Sequence, residues 1–296
     1  MAQLVGTFVS SHAPMMAASV ESAPPEQRRN FLGGVAEAAR RVREQGAEAV
    51  VICSNEHFTN FFLENFPQFC VGVGASHWGP VEPWLKIDHG EIPGAPELAG
   101  HLAGELPAEG FEPSFSHELR LDHGIMTIYH AIDPSHRLPL VPFIQNCAVK
   151  PMPSLRRCYQ LGQAIRRVVE RFAGAERVAV VGAGGLSHWI GVPRVGDIDV
   201  EFDHWFLERL ERGQLDDVID LPDAELELAG NGAHEIRSWL TIAGLAAPST
   251  AKVLAYEPIS PWITGMGVAV YDLEPPNPVA ARTAATAVGA DAAKGA

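Results

Sequence analysis

Apolar runs of strand length alternate with amphipathic helical stretches along this chain, and the strongest of those runs end in histidine. Residues 3–9 lead into Ser10-Ser11-His12-Ala13-Pro14, and residues 47–53 lead into Ser54-Asn55-Glu56-His57. Continuous apolar strands separated by helical stretches are the pattern of a sheet covered on both faces by helices. In such open sheets, groups carried past the carboxyl ends of parallel strands gather in one crevice, where ligands bind. Two imidazoles from two strand ends can share one metal there. A single such histidine is more often an ordinary hydrogen-bonded loop residue.

The alternation continues along the chain. Residues 24–45 carry a helical pattern with Phe31, Leu32, Val35, Ala38 and Ala39 on one side. Residues 58–73 are rich in Phe and read as a loop leading into a strand, and 79–93 read as a loop. Residues 96–106 suggest a short helix. Residues 114–121 alternate like a strand and end in Asp122-His123-Gly124, with a helix expected over 125–132. Residues 138–144 form a strand whose prolines suit an edge or a bend. A helix over 154–172 precedes a clean apolar strand at 177–181, which runs into Gly182-Ala183-Gly184-Gly185-Leu186-Ser187-His188. Helices follow at 199–212 and 232–246. The fold class expected is α/β: a single domain over residues 1–273, with a central mostly parallel or mixed sheet flanked by helices and the active site at the carboxyl ends of the strands. Residues 274–296, rich in Pro and Ala and without aromatics, are expected to form a mobile tail.

The 296 residues are 47% hydrophobic and 20% charged, an ordinary globular balance with material for a large core. A net charge of -14 and the lack of a basic stripe argue against a nucleic-acid partner. Cys53, Cys70, Cys147 and Cys158 form no C-x-x-C pair, which fits a reducing cytoplasm and speaks against a zinc knuckle. Neither a leader peptide nor a run long enough for a membrane span is read from the sequence.

His188 and His123 are the third and fourth histidines placed after strand-like runs. The glycines before His188 permit a tight turn and close approach to a ligand, but Ser187 breaks the G-x-G-x-x-G pattern, so a dinucleotide site is not supported. On a helical wheel for 232–246, Glu235 falls on the apolar arc with Ile236, Trp239, Leu240, Ile242 and Ala243, while His234, Arg237, Ser238 and Thr241 lie opposite. A buried carboxylate needs a metal or a paired cation, and either an ion pair with Arg or Lys or a metal satisfies it. Two imidazoles and one carboxylate form the facial set of non-haem Fe(II) centres. His12, His57 and Glu235 are therefore the candidate ligands, with His123 and His188 as candidate proton-transfer groups. The same atoms suit Zn(II) with one open position.

These motifs resemble the class III extradiol ring-cleaving dioxygenases over most of the chain, from Ser10 to about Gly267. The resemblance rests on Ser11-His12-Ala13-Pro14, His57 with Asn60-Phe61-Phe62, Asp122-His123-Gly124, Gly184-Gly185-Leu186-Ser187-His188 and His234-Glu235-Ile236-Arg237-Ser238-Trp239. It implies Fe(II) bound at His12, His57 and Glu235, a catechol-type aromatic substrate with O2, His188 as base and His123 as acid. It also implies either a homo-oligomer or a complex with a small helical subunit. One departure concerns Asn55-Glu56, which stands where relatives often carry an Asp before the histidine. Phe58 and Trp189 are candidates for an apolar wall, with Phe61 and Phe62 reading as ordinary core, and Arg194 or Arg120 for a clamp on a substrate carboxylate. The rival readings are a Zn-dependent hydrolase and a non-catalytic interaction protein on the same fold.

Overall fold

The computed structural model describes residues 1–273. Its strands are β1 (Gln3–Ser10), β2 (Ala49–Ser54), β3 (Phe69–Gly72), β4 (Ser76–Gly79), β5 (Gly90–Pro93), β6 (Ser114–Ser116), β7 (Leu140–Gln145), β8 (Arg177–Ala183), β9 (Ala251–Ile259) and β10 (Thr264–Tyr271). Its α-helices are α1 (Met15–Ala18), α2 (Pro25–Glu44), α3 (Pro96–Glu105), α4 (His123–Ile132), α5 (Leu155–Arg171), α6 (Val200–Arg212), α7 (Asp216–Ile219), α8 (Asp223–Leu226) and α9 (Ile236–Ala246).

Eight strands form one mixed sheet in the order β6-β3-β7-β2-β8-β1-β10-β9. The centre, β7-β2-β8-β1, is parallel, whereas β10 runs antiparallel to β1 and β3 antiparallel to β7. Val51 and Cys53 of β2 face a core shared with α3, α5, α6 and α9, while Val50 and Ile52 face α2 and α4. Both faces are thus dry, which is why these strands read as unbroken apolar runs. The register aligns Ser10 with Ala183, and Ser54 with both Ala183 and Ile144. The central strands therefore end level, and the loops after β1, β2, β7 and β8 leave from one edge.

Several elements differ from the sequence expectation. β7 lies inside the sheet, not at its edge. It tolerates Pro142 because the antiparallel ladder to β3 stops at Val71–Phe143, where a Cβ on Gly72 would sit 3.0 Å from the Pro142 ring. The strand expected over 114–121 is only β6, and 79–93 is no simple loop, since β5 pairs with β4 as a hairpin. The helix expected from Gly232 begins as a 3₁₀ turn over Ala233–Glu235 before α9. α9 is buried on all sides, including Arg237, Ser238 and Thr241. Gly162 and Gly244 let α5 and α9 touch backbone to backbone. The polar residues are paired inside, with Gln145 donating to Thr241 Oγ1 at 2.7 Å and Arg237 Nε donating to Pro153 O at 2.7 Å. β9 and β10, which close one side of the sheet, carried no sequence signal clear enough to place them. The tail expected over 274–296 lies outside the described residues. Among the described residues no helix is long and apolar enough to cross a membrane, and all four cysteines are free and buried.

Candidate metal centre and active site

Five side chains meet above the level strand ends. His12 follows β1 on a segment fixed by Ser11, whose Oγ donates to Gly265 O at 3.0 Å and accepts from Gly267 N at 3.0 Å. His57 follows β2 and is held by Asp122, whose Oδ2 accepts from the His57 backbone N–H at 2.9 Å and contacts its Nδ1 at 3.1 Å. Asp122 also caps α4, accepting from Gly124 N at 2.9 Å. His123 is therefore the first residue of a helix, not the end of a strand: β6 runs opposite to the central strands, and residues 119–121 return along Trp78 to reach the site. Glu82 Oε1 accepts from the His123 backbone N–H at 3.0 Å and contacts its Nδ1 at 2.6 Å.

His188 follows β8, with its Nδ1 2.7 Å from Leu186 O. Asp203 of α6 fixes the preceding residue: Oδ1 accepts from Ser187 N at 2.8 Å, and Oδ2 accepts from Ser187 Oγ at 2.9 Å and from Tyr256 OH at 2.7 Å. Glycine is required opposite His188, because a Cβ on Gly232 would lie 2.1 Å from His188 Nε2. Glu235 enters from the 3₁₀ turn before α9. Gly185 N donates to its Oε2, Asn55 Nδ2 donates to Oε1 at 3.0 Å, and Trp239 Nε1 fastens the adjoining loop at Gly184 O, 2.7 Å away.

The carboxylate of Glu235 stands among three imidazoles. Oε2 is 3.5 Å from His12 Nε2, and Oε1 is 3.8 Å from His57 Nε2 and 3.5 Å from His188 Nε2. Among the described residues Glu235 has no Lys or Arg partner, so the ion-pair alternative for it does not hold. The rings of His57 and His123 stack at 4.0 Å, and His12 stands edge-on to both. Donor atoms of His12, His57 and His123 lie within 4.8 Å of one another.

Burial pulls the His12 imidazole down to about 3, beyond what the nearby Glu235 charge restores, so the ring is neutral and able to donate a lone pair. Burial also opposes charge on His57, but Asp122 and then Glu235 outweigh it and raise its pKa. For His188 the balance runs the same way, with Glu235 and the Leu186 carbonyl overcoming desolvation. Glu235 is desolvated too, yet the imidazoles of His188 and His57 hold it well below the ordinary carboxylate range.

The donor chemistry fits a metal ion. Both ring nitrogens of His12 are buried without a hydrogen-bond partner, since the 3.5 Å contact to Glu235 lacks hydrogen-bond geometry. Asp122 on Nδ1 leaves Nε2 of His57 facing inward, the carboxylate–histidine arrangement that orients metal ligands.

A cavity of about 690 Å³ opens over His57 and Glu235. Phe58 lines it, in left-handed backbone (φ 56°) with its N–H donated to Glu56 Oε2 at 2.8 Å. Trp189 and Arg194 are not among the lining residues. Trp189 is buried with the Arg194 guanidinium 3.9 Å from its ring centre, and Arg194 pairs with Asp197 at 3.0 Å. Arg120 lies beside Trp78. Phe61 packs against the core, whereas Phe62 is exposed, contrary to its reading as core.

Residues 6–267 match the family model described as the catalytic LigB subunit of aromatic ring-opening dioxygenase. The chain belongs to this family. A 2,3-dihydroxyphenylpropionate/2,3-dihydroxicinnamic acid 1,2-dioxygenase of Cupriavidus necator is 31% identical over 277 aligned positions, covering 78% of this chain and 87% of that one. The enzyme of the same name from Burkholderia vietnamiensis is 30% identical over 278 positions, covering 78% and 86%. A solved structure of an uncharacterized protein from Escherichia coli K12 aligns with a TM-score of 0.60 at 14% identity, over 90% of this chain and all of that one, and shares the fold. The dioxygenase is thus an aromatic ring-opening enzyme of the extradiol type, from a family that works with a metal.

Sequence reasoning missed three residues that hold this dioxygenase's site in shape. Asp122 was legible only as a neighbour of His123, yet it is the partner of His57. Glu82 and Asp203 lie far in sequence from the histidines they serve, and no spacing signal marks them.

Proposed function

We propose that the dioxygenase cleaves a catechol-type aromatic with O2 at a single Fe(II) held by His12, His57 and Glu235. His188 acts as base and His123 as acid. One observation carries this reading: His12 is buried, neutral and without a hydrogen-bond partner on either nitrogen, facing a buried carboxylate that has no Lys or Arg partner among the described residues. Leaving such groups unpaired is costly, and a shared metal ion removes the cost. Two imidazoles and a carboxylate match non-haem Fe(II) sites that keep positions open for substrate and O2. The relatives' printed substrate is itself a catechol with a short acid side chain.

Fe(II) supplies the redox chemistry with O2 when bound. The chain supplies proton handling and shape. With Nδ1 committed to Leu186 O, Nε2 of His188, 3.5 Å from Glu235 Oε1, is the nitrogen that takes a hydroxyl proton. With Nδ1 committed to Glu82, His123 has Nε2 to return one. Apolar side chains such as Phe58, Leu63 and Ile190 give an aromatic ring a surface from which water is displaced. A cytoplasmic setting suits ferrous iron and four unpaired cysteines.

The closeness of His12, His57 and His123 favours one second reading, a three-imidazole zinc centre with hydrolytic chemistry. Anaerobic loading with Fe(II), followed by a catechol panel including 2,3-dihydroxyphenylpropionate, separates the two. Oxygen uptake with a new visible absorbance, absent after Zn(II) loading, is the expected result. No uptake with any catechol overturns the proposal.

A further inference from the structure

The lining of the cavity over His57 and Glu235 includes one Lys and no Arg, Lys150. It sits in the loop after β7, on the same strand-end edge as the histidines. Asn146 braces this loop: its Oδ1 accepts from Val149 N at 2.9 Å, and its Nδ2 donates to Val149 O at 2.7 Å and to Pro151 O at 3.2 Å. Lys150 Nζ is 2.5 Å from Glu227 Oε1, which also lines the cavity. That same oxygen is 3.2 Å from Nε2 of the buried His234, whose Nδ1 faces Arg237 at 2.9 Å. Glu227 is therefore anchored from behind, and it holds the ammonium at the cavity wall.

We infer that Lys150 is the specificity residue of this site and receives the carboxylate of a catechol bearing a short acidic side chain. The inference rests on the ring-cleavage reading above. An ammonium has three donors, and Glu227 occupies one of them. Lys150 is largely exposed, so a substrate carboxylate reaches a second donor without breaking the first. The wall near it includes the apolar Ala148, Val149 and Met152, while Asn231 is engaged with the Ile190 backbone and His234 with Glu227. Arg194 and Arg120, the cations suggested by the sequence, are engaged elsewhere. Glu227 tempers the attraction: its charge keeps Lys150 oriented but repels an incoming carboxylate.

The test compares kcat/KM for 2,3-dihydroxyphenylpropionate with that for an uncharged 3-alkylcatechol, using the Fe(II)-loaded full chain. Lys150→Gln is expected to lower the ratio of acidic to uncharged substrate about tenfold, through KM of the acidic one, the scale of one charge-assisted hydrogen bond. Lys150→Arg restores most of it. Glu227→Gln, which keeps an oxygen for His234, raises the ratio. A ratio unmoved by Lys150→Gln overturns the assignment while ring cleavage itself stands. Wild-type protein that opens neither catechol overturns both.

Discussion

His57 and His123 each carry a carboxylate at Nδ1, Asp122 at 3.1 Å and Glu82 at 2.6 Å, whereas His12 has no hydrogen-bond partner on either nitrogen. Exposure separates the two sides as well. The side chains of His57 and His123 are 24% and 12% exposed, against 2% for His12. A partly exposed ring has room to swing, and a carboxylate behind it fixes both its direction and its tautomer. The His12 ring is confined by packing and by the Ser11 ties to β10, so it needs no such brace. The lesson is that one flank is oriented before any ion arrives, while the other stays electrostatically unsatisfied until one does.

The largest test of that contrast is His12→Ala. Losing a ligand from the dry flank is expected to abolish metal retention, beyond the ~100-fold loss of affinity that outer partners typically cause. Metal analysis after anaerobic loading reads this directly, and full occupancy in the variant would remove His12 from the ligand set.

Next in size is His188→Ala, which should keep the metal but slow turnover about 10²–10⁴-fold, the usual worth of acid–base help. Wild-type rates would mean that the proton leaves by another route. Asp122→Asn probes the braced flank. An amide has one acceptor oxygen, so it cannot serve both His57 and the Gly124 N–H, and it removes the negative charge behind Nδ1; metal affinity should fall roughly 10–100-fold. An unchanged affinity would show that packing alone orients His57.

The smallest effect concerns Asp203, which braces His188 at one remove. Burial raises its carboxyl from 3.8 to about 6 in the folded chain. The folded state thus keeps its proton while the unfolded state releases it, and stability falls as pH rises from about 4 to 6, with no further loss above that. Wild-type stability should drop against that of Asp203→Asn by about 1–3 kcal/mol over this window. Parallel melting temperatures across pH would refute a protonated Asp203.

The parallel core was legible because strands buried on both faces show as unbroken apolar runs, as at Val50, Val51 and Ile52. The histidines after β1, β2 and β8 were legible because level strand ends bring such loops together. β10 was hidden by its own glycines, which are there because larger neighbours press on the strand: Asp203 against Gly265 and Trp239 against Gly267. The wheel for α9 failed because close backbone contact with α5 buries its polar side too. Placing Glu235 on a buried face came out correctly, since a lone carboxylate among apolar positions is a local signal. Glu82 and Asp203 act through the fold on residues remote in sequence, and nothing local distinguishes them from surface charges, while Asp122 stood in a legible motif that did not show it to be the partner of His57.

The most direct measurement is a crystal structure of the anaerobically Fe(II)-loaded dioxygenase with anomalous data at the iron edge. The account predicts a single iron bonded to His12, His57 and the carboxylate of Glu235, with His123 and His188 unbonded. Iron bonded instead to His12, His57 and His123, with Glu235 turned away, would contradict it.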